Sequence, residues 1–179
     1  MRRRTGLTLV ALISGAIAVL AAGSYATAQS GKSNVGTGPM SGYLEGAPGG
    51  PVSSVATGSL EATIDDSASE IEFTLTFAEL EAPVLFAHIH FGQRSVNGGV
   101  AAFLCGGGGK PACPQSGTVT GTIVPADVVG PAGQGIAAGE FGELVAAIRA
   151  GRTYANVHST KFPAGEVRGQ INDDNQRDD

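Results

Sequence analysis

"IEFTLTF", residues 71–77, alternates along its whole length: Ile71, Phe73, Leu75 and Phe77 are apolar, and Glu72, Thr74 and Thr76 between them are polar. Successive side chains of a strand point to opposite faces, so this period of two predicts a β-strand with one dry and one wet face. "SLEATI", residues 59–64, repeats the rhythm with Leu60, Ala62 and Ile64, and the intervening "DDSAS" is turn chemistry. Two such runs joined by a short turn read as an antiparallel pair.

Further strand candidates are Leu85 to Phe91, Val100 to Leu104, Thr118 to Val124, Tyr154 to His158 and Glu166 to Ile171. One segment departs from the pattern. "GEFGELVAAIRAG", residues 139–151, places Phe141, Leu144, Val145 and Ile148 at helical spacing, with Gly151 as a stop. The Gly- and Pro-rich "PADVVGPAGQGIAAG" before it reads as a crossover loop. Seven or eight short antiparallel strands, one short helix and Gly/Pro turns predict an all-β protein, a Greek-key β-sandwich or barrel of superoxide dismutase-like or Ig-like type.

The chain opens on "MRRRTGLTLVALISGAIAVLAAGSYATAQS", with Arg2, Arg3 and Arg4, an apolar run from Leu7 to Ala22, and small residues Ala26, Thr27 and Ala28. Residues 1–28 therefore read as a cleaved export signal, giving a secreted or periplasmic protein. A retained membrane helix is the rival reading, but the apolar run is shorter than the ~20 residues a span needs. No stable membrane span is expected after cleavage. Residues 29–40 read as a flexible leader, 41–171 as one folded domain, and the acidic "NDDNQRDD", 172–179, as a disordered tail. Loss of the signal leaves eight basic against sixteen acidic residues. That field disfavours nucleic acid and anionic lipid, and leaves an extracellular or envelope protein as the partner class.

Cys105 and Cys113 flank "GGGGKPA". Two cysteines this close in an exported protein usually form a disulfide, and the alternative is a thiolate metal pair for which nothing nearby offers further ligands.

The three histidines carry the chemistry. In "LFAHIHFGQ", residues 85–93, the apolar set Ala87, Ile89 and Phe91 takes one face and leaves Phe86, His88 and His90 on the other. In "TYANVHS", Ala155 and Val157 go inward and Tyr154, Asn156 and His158 outward; in "GEVRGQI", Glu166, Arg168 and Gln170 go outward. All three histidines thus fall on outer faces, as a metal site or as polar residues of a wet surface. Residues i and i+2 of a strand bring two ring nitrogens within chelating reach of one ion, and His158 from a second strand would complete a three-nitrogen site for copper first and zinc second. Asn156 or Glu166 could accept the free ring N–H.

"AHIHFG", then "NGGVAAFL", then "YANVHSTKFPAGEVRGQI" resemble the chordin-type, or CHRD, domain family. "LEGAPGGPVSSVATGSLEATI" fits its opening, so the likeness runs from about Ser41 to Ile171. The resemblance implies an extracellular protein. In animals such domains sit in an antagonist of growth-factor signalling. "FAHIHFG" and "GRTYANVH" are also similar to the segments of copper-zinc superoxide dismutase that hold copper ligands. That likeness implies a Greek-key barrel in which His88, His90 and His158 match three ligands and Arg168 the anion-guiding arginine. The bridging fourth histidine, the zinc-ligand loop and that enzyme's disulfide placement are lacking. No nucleophile with an adjacent base, phosphate loop or cofactor fingerprint is visible, which inclines the reading away from an enzyme. Two classes stay open: a metal-binding secreted protein, and an extracellular interaction or structural module without metal.

Overall fold

The computed structural model describes residues 31–42 and 51–173, so the export-signal reading of 1–28 lies outside the described residues. Among the described residues nine strands form one antiparallel sheet: β1 (Lys32–Thr37), β2 (Met40–Ser41), β3 (Thr57–Asp65), β4 (Glu70–Ala78), β5 (Val84–Phe91), β6 (Gly99–Cys105), β7 (Gly117–Ile123), β8 (Thr153–Ser159) and β9 (Val167–Asp173). The hydrogen-bonded order is β6-β5-β8-β9-β1-β3-β4-β7, and β2 bridges β3 and β9.

Alternation dictated the inner face correctly. Leu60, Ile64, Ile71, Leu75 and Phe77 from β3 and β4 share one core with Ala87, Ile89, Ala155, Val157, Val167 and Ile171 from β5, β8 and β9. A single sheet whose two halves bury the same core has folded over on itself, giving the sandwich-like architecture that the sequence predicts. Full burial of each Leu, Ile or Phe contributes about 1.5 to 3 kcal/mol, so these positions fix the register of the strands that carry them. Helix α1 (Phe141–Arg149) adds Phe141, Leu144, Val145, Ala147 and Ile148 to this core. Its last-turn Arg149 pairs with Asp66 at 2.7 Å.

The segment expected as a flexible leader carries β1 and the first residue of β2 instead. It has little alternation of its own, but Val35 and Met40 are buried, and β1 pairs with both β3 and β9. Gly169 makes room for this corner: a Cβ there would meet the Met40 side chain at 2.7 Å. Asn172 and Asp173, expected in the acidic tail, continue β9; residues 174–179 lie outside the described residues.

The two edge strands are treated differently. Val128, in the crossover loop, bridges Ala102 of β6, and Val129 N donates to Ala101 O at 2.9 Å. On β7, Lys110 Nζ donates to the Thr122 carbonyl at 2.6 Å. Cys105, at the end of β6, is bonded to Cys113, as the spacing suggested. Among the described residues no helix is long and apolar enough to cross a membrane.

Candidate metal centre

β5 and β8 are adjacent and antiparallel, with Phe86 opposite His158, His88 opposite Asn156 and His90 opposite Tyr154. This register brings all three histidines onto one patch of the outer face. One ligand atom from each of His88, His90 and His158 lies within 4.8 Å of the others. His88 Nδ1 is 3.2 Å from His158 Nε2.

The patch is not wet. His88, His90 and His158 are 4 %, 8 % and 4 % exposed, which corrects the expectation that the outward imidazoles face solvent. Aromatic rings wrap them: Phe86 stacks on His88 at 4.7 Å, Phe103 meets it edge-on at 4.4 Å, and Tyr154 lies parallel to His90 at 4.8 Å. Two loops cover the remainder. Residues 92–98 are held down by Arg168, whose guanidinium donates to the carbonyls of Gln93 and Val96 at 2.9 Å each. The loop 160–165 is held by Asn156, whose Nδ2 donates to Ala164 O at 3.2 Å.

The loops also set the histidine tautomers. A carbonyl can only accept, so Gly98 O, 3.0 Å from His90 Nδ1, and Pro163 O, 3.1 Å from His158 Nδ1, each take a ring N–H. Both rings therefore carry an unprotonated Nε2: that of His158 accepts from His88 Nδ1–H, and that of His90 has no partner among the described residues. The orienting role expected of Asn156 or Glu166 falls to these main-chain carbonyls. Asn156 secures a loop, and the Glu166 carboxylate accepts from Ser54 Oγ at 2.7 Å and from the Glu81 amide at 2.8 Å. Arg168, expected to guide an anion, is 3 % exposed and lies over the Tyr154 ring at 3.3 Å. It stiffens the cover and is not presented to solvent.

Burial keeps the three rings neutral. Desolvation, followed by the nearness of His158 and His90, lowers the His88 pKa to about 3. Desolvation lowers His158 to about 4, against a raising effect of the Pro163 carbonyl and with a further lowering from His90. His90 is lowered by burial and by the Arg168 charge, with the Gly98 carbonyl acting against them. Neutral imidazole is the ligating form.

The donor set fits a metal. Among the described residues, His88 Nε2 and His90 Nε2 are buried and have no hydrogen-bond partner. Buried polar atoms are normally satisfied, so orphaned nitrogens on two rings of a three-imidazole cluster suit an ion. The signal for the histidines was in the sequence. The cover was not, because Gln93, Val96 and Pro163 act through main-chain carbonyls that any residue type supplies.

An all-β sandwich-like fold carrying a buried three-histidine cluster is the class that these observations define. Residues 39–171 match the model of the CHRD domain, and the chain belongs to that family. No curated protein and no solved structure matches the chain, so the likeness to superoxide dismutase rests on the quoted segments alone.

Proposed function

We propose that this is an exported CHRD-domain protein that binds a single metal ion, copper first and zinc second, through His88, His90 and His158. The observation that carries the reading is the convergence of three neutral, buried imidazoles, two of them fixed by carbonyls with Nε2 unprotonated. A bound copper would supply Lewis acidity and one-electron chemistry at that point. The Cys105–Cys113 disulfide supports an oxidising compartment, as does the basic and apolar start of the sequence.

The test is metal uptake by the purified mature chain. About one equivalent of copper is expected, and none in the folded His88→Ala/His90→Ala/His158→Ala variant, as for any site built from these ligands alone. Equal uptake by parent and variant, or none by either, would favour the metal-free extracellular interaction module. The dismutase-like reading has least support, since Arg168 is packed under a loop and the ligand nitrogens are shut from solvent.

A further inference from the structure

The same cluster bears on which ion enters it, if the three-histidine reading holds. Each ligand is uncharged, and no carboxylate belongs to the group that could hold an ion. The shell is Phe86, Phe103 and Tyr154. The charged group acting on the cluster is a cation: Arg168, over the far side of the Tyr154 ring that stacks on His90. The one buried carboxylate on this face, Glu166, is not among the clustered ligands: its Oε1 accepts from Ser54 and the Glu81 amide, and its Oε2 has no partner among the described residues.

The cost of taking an ion out of water grows with the square of its charge, and neutral ligands beside a fixed cation offset little of it. A dication is thus penalised several times more than a monocation. Coordination number works in the same direction. Zinc is four-coordinate and copper(II) prefers a tetragonal set, so each needs at least one ligand beyond three imidazoles. His88 Nε2 and His90 Nε2, without a partner among the described residues, are inaccessible to water, and the covering loops are tied down by Arg168 and Asn156. Copper(I), a d¹⁰ monocation content with three ligands, needs neither a counter-charge nor a fourth donor.

We propose that the His88–His90–His158 site is selective for monovalent copper, held by three imidazoles alone, over both copper(II) and zinc(II).

The mature protein is titrated anaerobically with copper(I), ascorbate being the reductant so that the disulfide stays closed, against a copper(I) chelator such as bicinchoninate. Parallel titrations use copper(II) and zinc(II) against nitrilotriacetate. Copper(I) is expected to bind about a hundredfold or more tightly than either dication, the direction set by the desolvation cost. X-ray absorption should show three nitrogen neighbours and no sulfur. Binding of either dication as tightly as copper(I) would overturn the selectivity and leave the histidine site standing. Failure of the folded protein to take up any of the three ions would overturn the site and the selectivity together. Sulfur in the copper shell would overturn the proposal by moving the ion to Cys105 and Cys113.

Discussion

The two halves of the sheet obey the same alternation and end up in different environments. On β3 and β4 the inner residues from Leu60 to Phe77 are buried, on β7 Ile123 is buried and Val119 half-buried, and Glu61, Glu72, Thr74, Thr76, Thr118 and Thr120 on the other face are exposed. On β8 every residue from Thr153 to Ser159 is buried, and Glu166, Arg168 and Gln170 beside it are buried too. Period two tells which way a side chain points, and not what lies beyond it. The open half has water there; the closed half has two loops and a set of rings.

Acid should separate the halves most strongly. With folded pKa values of about 3 for His88 and about 4 for His158, against an ordinary 6.5, the unfolded chain takes up protons first as pH falls. Stability of the metal-free protein is therefore complete above about pH 6.5 and is lost progressively toward pH 4 and below. Asp65, held down chiefly by its bond to Ser67, and Asp127, lowered by Lys110 against its own burial, have folded pKa values below 3.8. Their contributions disappear only at more acid pH, so the upper window belongs to the imidazoles. Melting temperature measured against pH should fall across that window in the parent. It should be much flatter in a His88→Gln/His158→Gln variant, and an equal slope would assign the acid sensitivity elsewhere.

A pair of substitutions gives the next largest contrast. Arg168→Ala leaves the Gln93 and Val96 carbonyls without their donor and empties the space over Tyr154; a cost of about 3 kcal/mol or more is expected. Thr76→Val, which removes an exposed hydroxyl 3.2 Å from that of Thr118, should stay within about 0.5 kcal/mol. Urea unfolding of both variants reads the difference, and equal midpoints would mean that the cover adds nothing.

The smallest contrast uses two glycines with positive φ. Gly165, at φ 124°, lies so close to Asn156 that a Cβ would overlap the carboxamide, whereas Gly117, at φ 112°, has nothing within 4 Å of that position. Gly117→Ala should cost only the backbone strain, about 1 to 2 kcal/mol, and Gly165→Ala that amount plus about 1 kcal/mol for displacing Asn156. The same unfolding experiment measures both, and imidazole NMR signals should shift only in the Gly165 variant.

The strands of the core were legible because their pattern is local. Ile71 to Phe77 needs no partner to declare its faces, and Phe141 to Ile148 declares a helix in the same way. β1 was not legible: "KSNVGT" has one buried apolar residue, Val35, flanked by polar residues and glycine, and is held by hydrogen bonding to β3 and β9. The histidines could be listed and assigned to faces, but their meeting depends on β5 lying beside β8, a pairing between segments far apart in the chain. The misreading of their surroundings has the same origin. Nothing in "AHIHFG" shows that Arg168 will draw the backbone of residues 93–96 across it.

The carbonyls that fix His90 and His158 also divide the cost of forming the centre. Immobilising a side chain costs rotamer entropy, and here that cost falls due when β5, β8 and their loops close. An ion entering afterwards would meet ligands already in place, so little of its binding free energy would be consumed in ordering them. Metal would then add to stability by mass action on a domain that folds without it, and demetallation would leave a folded vessel able to be refilled.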